Sequence, residues 1–228
     1  MALAGSGAVA IWHDIVPEGR AAFYDWHGRE HMPERAAIPG FLCGRRYVAI
    51  QGAPEYFNLY ETRDPSVVSG SEYLARLNAP TAWTVSTVKH FRGVSRSLCA
   101  VPASFGEGQG GLMATYRYDV RDVDGAQHRQ RMASRLSALA TEPGIAGAHL
   151  LVADIEASAV DTAEKKVRKE KNAIPRWIVL VESWDDEGPF VAAARAFAAD
   201  AAFSGVLEAP EWAVYRLQNT RLAPVENS

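Results

Sequence analysis

A pair of histidines on one predicted helix is the first feature of this sequence that could do chemistry. His27 and His31 are four residues apart, so they share a helix face. The imidazole side chain has a pKa of about 6.5 in model peptides, so it can both accept and donate a proton at neutral pH. We predict that His31 acts as a general acid/base, assisted by Glu30 and Glu34. The alternative is that His31 is a partly buried histidine with a purely structural role. Pro33 lacks a backbone donor and predicts that the regular helix bends or ends near His31.

The same residues also match a zinc motif. The run His27-Gly-Arg-Glu30-His31 fits the H-x-x-E-H pattern, in which both histidines bind zinc and the glutamate polarises water. That site needs a third protein ligand, which the sequence does not identify. A metal hydrolase using His27 and His31 is therefore an alternative, whereas the main prediction includes no metal and no cofactor.

Other polar and aromatic residues could shape a substrate pocket. Strand side chains alternate between faces, so Asn58 and Tyr60 share one face of a predicted strand and Phe57 and Leu59 share the other. We expect the apolar face to pack on helices, which makes Asn58 and Tyr60 candidates to line an interior cavity, with an exposed face as the alternative. The predicted substrate-binding residues are Trp26, His27, Tyr60, Asn58, Trp12, His90 and Arg92.

Haem is a weaker possibility than an acid/base site. His90, His128 or His149 could supply a proximal ligand. His90 and Arg92, which share a strand face, could instead bind a carboxylate or phenolate.

These residues must be positioned by elements that recur along the 228-residue chain. A Pro-Gly stop occurs at Pro39-Gly40 and again 104 residues later at Pro143-Gly144, and apolar strands end on Glu61 and, 121 residues later, on Glu182. The extra 17 residues fall at about 156–175, whose charged run predicts a solvated loop or short exposed helix, with an electrostatic docking patch as the alternative. The predicted strand, helix, strand, strand, helix and strand are about 8–15, 18–37, 41–51, 55–62, 65–78 and 86–98 in one half, and 112–120, 123–141, 145–154, 176–184, 187–202 and 211–221 in the other.

The element order predicts an α+β fold of two tandem ferredoxin-like β-α-β-β-α-β units. Each unit has helices on one sheet face, so we expect the two open faces to pack sheet to sheet as an intrachain dimeric α/β barrel with a ligand cavity between them. The predicted units are 1–105 and 112–228, joined by a glycine-rich linker at 106–111. At the 104-residue offset, His27 and His31 correspond to Arg131 and Arg135, which favours one site per chain, in the first unit.

Composition excludes several classes of protein. A net charge of -3 argues against nucleic acid as the main partner. The sequence has no apolar run of about 18 residues, and its start lacks a basic n-region, so neither a membrane span nor a signal peptide is predicted. Two cysteines, Cys43 and Cys99, are typical of a reducing cytoplasm. We expect a cytoplasmic protein with a small-molecule partner, and leave homodimer formation open.

The first half also resembles a known family. The run Tyr24-x-Trp26-x-x-x-x-His31-x-Pro33, followed by Ile38-Pro39-Gly40 and then Arg45-Arg46-Tyr47, resembles the EthD-like branch of the dimeric α/β-barrel superfamily. The resemblance covers residues 9–97 by pattern and 112–221 by topology alone. It implies a dehydratase, cyclase, isomerase or cofactor-free monooxygenase acting on aromatic or polyketide-like molecules, although some members bind haem. It also implies an acid/base role for His31. A ligand-binding or stress-associated protein without chemistry is the alternative; we favour lyase or isomerase chemistry.

Overall fold

The computed structural model describes residues 3–168 and 173–224, which form an eight-stranded antiparallel barrel with helices outside it. The strands are β1 Gly7–Ile15, β2 Phe41–Gln51, β3 Tyr56–Thr62, β4 Phe91–Gly106, β5 Leu112–Tyr118, β6 Ile145–Ala153, β7 Trp177–Ser183 and β8 Glu211–Leu222. The α-helices are α1 Arg20–Trp26, α2 Met32–Ala36, α3 Ser71–Asn78, α4 Ala82–Val88, α5 Gly125–Leu139, α6 Ile155–Ala159, α7 Ala163–Arg168 and α8 Glu187–Phe197.

The barrel closes because each half of the chain contributes four strands whose edges pair with the other half. The strand order around the barrel is β1-β3-β2-β8-β5-β7-β6-β4. The two halves meet where β2 pairs with β8 and where β4 pairs with β6. In both halves a Pro-Gly stop precedes the second strand, and Gly40 and Gly144 take the positive φ that glycine adopts without a Cβ clash. Closure leaves no bare sheet edge among these eight strands.

The barrel interior is filled by side chains, so the expectation of a ligand cavity between the sheets was wrong. An apolar cluster with members from all eight strands occupies it, including the aromatic residues Trp12, Tyr47, Phe57 and Tyr215, which are fully buried. The strand-face assignment was also wrong, because the Phe57 face of β3 points into this cluster. In a closed barrel the inner face is the drier one, so it takes the apolar residues.

One end of the interior contains a buried ionic cluster. The Arg45 guanidinium donates to both carboxylate oxygens of Glu182, at 2.8 and 3.2 Å, and lies 2.8 Å from a Glu61 oxygen. His149 Nε2 is 3.3 Å from Glu182. The cluster connects β2 and β3 with β6 and β7, so the two glutamates that end matching strands hold the halves together.

The first helix differs from its prediction over 18–37. Regular α-helix ends at Trp26, a π-helical turn covers His27–His31, and α2 continues to Ala36. Proline lacks the N–H that would bond one turn back, and a wider turn before Pro33 accommodates this loss. The wide turn places both His27 and His31 against the sheet, where they are buried.

Other boundaries moved more. The predicted strand 86–98 was wrong at its start, because α4 extends to Val88 and β4 begins at Phe91. The predicted helix 65–78 is a 3-10 turn at Pro65–Ser69 followed by α3. The predicted linker 106–111 begins inside a strand, because β4 continues through Gly106 and pairs with Gly147.

The insert at about 156–175 is not a solvated loop where the structure describes it. It forms α6 and α7, and Ser158, Thr162 and Glu164 are buried. Helix α7 contacts α3 and α4, which belong to the other half of the chain. Residues 169–172 of the charged run lie outside the described residues.

Within the described ranges, no helix has the length and apolar character needed to cross a bilayer.

Candidate active site

The predicted histidines line a small cavity between the barrel's outer face and its helix layer. Its volume is about 30 Å³, enough for one or two water molecules. The π-helical turn supplies His27 and His31 above the outward faces of β1, β3 and β4. The lining residues are Ile11, His13, Trp26, His27, His31, Asn58, Tyr60, Val88, Phe91 and Glu164.

His27 has both ring nitrogens within hydrogen-bonding distance of a partner. Nδ1 is 3.3 Å from Arg46 Nη1, and Nε2 is 3.2 Å from the Tyr60 hydroxyl. A guanidinium can only donate, so Nδ1 is the acceptor and the ring proton is assigned to Nε2. Burial, followed by the charge of Arg46, holds the pKa of His27 well below its usual range. His27 is therefore a neutral imidazole whose Nε2–H donates to Tyr60.

Arg46 is held in place from several sides. Its Nε donates to Gln218 Oε1 on β8 at 2.7 Å. Its guanidinium carbon lies 4.9 Å from the centroid of the Tyr24 ring and 5.5 Å from that of Phe23, which is cation–π distance. The second half of the chain thus contributes Gln218 to the surroundings of His27.

His31 is buried and lies against an aromatic wall. Its ring centroid is 4.3 Å from that of Trp26 and 5.5 Å from that of His27. Phe23 and Trp26, three residues apart on α1, are buried against the sheet. Their packing fixes the distance between the sheet and the π-helical turn that follows. This packing orients the His31 ring at the cavity.

β3 places Asn58 and Tyr60 beside the histidines, although on the outer face and not in the interior that we expected. Asn58 Nδ2 is 3.0 Å from His13 Nε2, and the buried Asn58 Oδ1 accepts no hydrogen bond from the described residues. Burial raises the pKa of Tyr60 well above its usual value, so its phenol stays protonated.

Sequence reasoning missed His13, Arg46 and Glu164. His13 alternates with Trp12 on β1, so choosing the inward face would have identified it. Arg46 was part of the family-like pattern but received no role. Nothing in the charged insert indicated that Glu164 would reach the other half, where its carboxylate accepts from Arg35 Nη2 at 2.8 Å.

The two predicted assisting carboxylates have other contacts. Glu30 Oε1 accepts from Trp26 Nε1 at 3.2 Å and from the hydroxyls of Thr81 and Thr84 at 2.6 and 3.1 Å. These bonds connect the π-helical turn to α4. Glu34 lies 3.6 Å from Arg35. Neither carboxylate is among the groups that line the cavity.

Three predicted pocket residues lie elsewhere. Trp12 is inside the barrel, stacked on Phe57 at 4.8 Å between ring centroids. His90 belongs to the turn before β4, half-buried, and Arg92 is exposed and donates to the Lys89 and Phe91 carbonyls. The side-chain alternation that paired His90 with Arg92 does not apply, because the strand starts only at Phe91.

The zinc interpretation does not fit this geometry. Across residues 3–168 and 173–224, no group of three or more histidine, cysteine or acidic side chains is arranged to hold a metal. The Arg46 cation 3.3 Å from His27 Nδ1 also opposes a metal cation at that ring.

The chain shares its fold with known structures. No family model matches it, and no curated protein matches it by sequence. An anthrone oxidase-like protein superposes with a TM-score of 0.64 at 12% identity, covering 97% of this chain and 94% of that one. A candidate monooxygenase from Lactobacillus acidophilus gives 0.57 at 10% identity, covering 96% and 97%. A haem-binding protein from Thermus thermophilus gives 0.50 at 11% identity, covering 94% and 92%.

The fold is that of the dimeric α/β barrels. At these identities the likeness carries the fold alone.

Haem, which one of these similar structures binds, does not fit two of the three histidines predicted for it, His128 and His149. His128 is buried between Tyr118 and Arg131, whose polar atoms are 2.9 and 3.0 Å from its ring nitrogens. His149 is likewise engaged, by Ser104 at 2.9 Å and by Glu182. Ligation of iron would break a buried hydrogen bond at either ring, which costs about 1–3 kcal/mol for each group left unpaired.

Proposed function

We propose that this chain is a small-molecule enzyme of the EthD-like branch, in which His31 transfers a proton on a hydrophobic aromatic or carbonyl-bearing substrate. In this proposal residues 1–105 and 112–228 are two ferredoxin-like units, and the first unit holds the single active site.

The supporting observation is the concentration of polar groups in one buried place. Three imidazoles, a phenol, an amide and the Glu164 carboxylate line a cavity whose other walls are aromatic or aliphatic. Burying such groups is costly unless they are paired or functional, and clusters of this kind are typical of active sites. Asn58 lines this cavity, and its buried Oδ1, which accepts no hydrogen bond from the described residues, is an additional acceptor.

Enolisation is the step that this set of groups supports best. His31, as the base, takes a proton from a carbon that is beside a carbonyl or conjugated with it through a ring, as C10 of anthrone is; the electron pair of that C–H bond forms a C=C bond, and the carbonyl oxygen gains negative charge through the conjugated system. Return of the proton to another carbon completes an isomerisation. In a dehydration the enolate re-forms the carbonyl, its C=C electron pair forms the new C=C bond to the β-carbon, and the hydroxyl on that carbon leaves as water with the proton that His31 holds. Both outcomes belong to the lyase or isomerase class.

Substrate binding requires the cavity to enlarge. An aromatic ketone needs a pocket of at least about 300 Å³, ten times the present volume. Helix α7 covers the site through Glu164 and through Val167, which packs against the cluster containing Phe23 and Trp26. We propose that α7 moves outward to admit the substrate and then excludes water during proton transfer.

The test uses anthrone, an enolisable tricyclic ketone, as the probe. Nuclear magnetic resonance follows exchange of its C10 hydrogens for deuterium in D2O, with and without protein. We expect the full-length protein to accelerate exchange and His31→Ala to lower the rate by about 10²–10⁴. His90→Ala, which removes a histidine outside the cavity, serves as the control. Equal rates for His31→Ala and the wild type would overturn the assignment. Binding of anthrone without accelerated exchange would favour a non-catalytic ligand-binding protein.

A further inference from the structure

The contacts of Arg46 determine where the Tyr60 proton is. Because Arg46 donates to His27 Nδ1, the proton of His27 is on Nε2 and points at the Tyr60 oxygen 3.2 Å away. A phenol oxygen that accepts from His27 cannot also donate to it. The Tyr60 hydrogen is therefore left for the cavity that Tyr60 lines.

We propose that Arg46, held by Gln218, is a positioning residue that fixes the Nε2–H tautomer of His27 and so makes Tyr60 the hydrogen-bond donor to the substrate's carbonyl oxygen. This inference rests on the proposed function and assigns different roles to His31 and Tyr60. His31 takes the carbon-bound proton. The released electron pair forms the C=C bond, and the carbonyl oxygen becomes an enolate oxygen that the Tyr60 hydroxyl stabilises. Tyr60 keeps its own proton throughout.

The arrangement suits an oxyanion donor because its members are already buried and hydrogen-bonded to one another. Tyr60, His27 and Arg46 are all buried, with exposed fractions of 3%, 3% and 6%. Preorganised donors of this kind stabilise developing charge without reorganisation during the reaction. His27 itself, with both nitrogens engaged, is not the base.

The charges around His27 act in the same direction. Arg46 on β2, Arg35 on α2 and His13 on β1 all disfavour a positive charge on its ring, and burial adds to their effect. Its other titratable neighbours are Tyr60 on β3, His31 on the same π-helical turn and, across the cavity, Glu164 on α7, whose carboxylate is paired with Arg35. His27 consequently stays neutral as pH falls through the ordinary histidine range, and the Tyr60 donor persists.

The second half of the chain contains a matched control. Arg131 Nη2 lies 3.0 Å from His128 Nδ1, and His128 Nε2 lies 2.9 Å from the Tyr118 hydroxyl. The chemistry of this trio is the same, but the His128 ring packs edge-on against Trp177, and His128 does not line the cavity of His31. A variant at Arg131 therefore reports what the loss of an arginine–histidine contact does away from the proposed site.

The experiment combines ¹⁵N resonances of the histidine rings with the anthrone exchange assay. In the wild type we expect His27 to be the neutral Nε2–H tautomer at pH 7. In Arg46→Met we expect its pKa to rise and the Nδ1–H form to become populated. Exchange should slow by about 10²-fold in Tyr60→Phe, the cost of losing one oxyanion donor, and by at least about tenfold in Arg46→Met. Arg46→Lys, which retains a cationic donor, should recover part of the rate. Arg131→Met should change the His128 resonances and leave exchange as in the wild type.

Two results would overturn the inference. One is an Nδ1–H or cationic His27 in the wild type at pH 7. The other is a tautomer or an exchange rate that Arg46→Met and Tyr60→Phe leave unchanged. If the wild type shows the expected resonances and no acceleration of exchange at all, the proposed function fails and the role of Tyr60 fails with it, while the tautomer assignment stands on the resonances alone.

Discussion

Replacing Arg45 by methionine removes the cation from the ionic cluster inside the barrel. The guanidinium is fully buried and lies 2.8 Å from a carboxylate oxygen of Glu182 and 2.8 Å from one of Glu61. Methionine occupies a similar volume but leaves two carboxylates in a dry interior. Breaking a buried pair by removing one partner costs about 3–5 kcal/mol, because the remaining charge is uncompensated.

The expected loss is large enough to measure by two methods. For a chain of this size, about 1 kcal/mol shifts Tm by roughly 2–4 °C, so Arg45→Met should lower Tm by roughly 6–20 °C. Urea unfolding at pH 7 gives the free energy directly. The control is Arg20→Met, whose bond to Glu55 is half-exposed on the outside and contributes about 0–1 kcal/mol.

The pH dependence gives a second check on the same cluster. Burial opposes ionisation of Glu182, but the hydrogen bond from His149 and the charge of Arg45 lower its pKa below the usual value. Its contribution is therefore present above the unfolded-state pKa and is lost as pH falls. In Arg45→Met, burial without the cation raises that pKa, so the variant gains relative stability in acid. The difference in unfolding free energy between the variant and the wild type should therefore become smaller as the pH falls toward about 4, where carboxyl groups ordinarily titrate.

The reasoning is wrong if Arg45→Met lowers the unfolding free energy no more than Arg20→Met does. It is also wrong if the difference in unfolding free energy between Arg45→Met and the wild type is the same at pH 7 and in acid. Adding Glu182→Gln to Arg45→Met should restore part of the stability, because one uncompensated charge is removed.

Three further outcomes follow from the contacts around the cavity and the cysteines. Glu164→Gln weakens the buried bond between Glu164 and Arg35 that holds α7 over the site. If this costs about 1.4 kcal/mol, the backbone amides of α7 should exchange with solvent deuterium about tenfold faster, and unchanged hydrogen-exchange protection would contradict the prediction. A Cβ at Gly44 would lie 2.8 Å from the Tyr60 ring, so Gly44→Ala should displace the ring, cost about 1–3 kcal/mol in urea unfolding and slow anthrone exchange. Burial raises the pKa of Cys43 to about 11 and that of Cys99 further, so both thiols of the folded protein should react with Ellman's reagent at pH 8 roughly 10²-fold more slowly than in urea.

Local sequence signals were sufficient for most of the elements. Alternating or continuous apolar runs located eight strands, and the two Pro-Gly stops marked the helix-to-strand turns because only glycine adopts their positive φ without strain. The prediction failed at α4, where Ala82–Val88 is rich in β-branched residues and was assigned in part to a strand. Packing of Thr84, Thr87 and Val88 against the neighbouring layer outweighs that propensity.

The candidate site was predictable only in part. Four-residue spacing placed His27 and His31 on one helix face, and both line the cavity together with Trp26. Strand alternation grouped Asn58 with Tyr60 correctly but assigned them to the wrong side of the sheet. The alternation of side chains along a strand shows which residues share a face but not which face points inward. Only the closure of the barrel decides which face of β3 is the inner one.

By itself the sequence determined the order of the elements, the recurrence that gives each half of the chain four strands, and the spacing of the two histidines. Those features depend on neighbours within a few residues. Tertiary structure alone decided that His13, Arg46 and Gln218 surround the histidines, that Glu164 covers them, and that Trp12 does not belong with them. These contacts join residues up to 172 positions apart, as Arg46 and Gln218 are, and they depend on strand register and barrel closure, which no local pattern encodes.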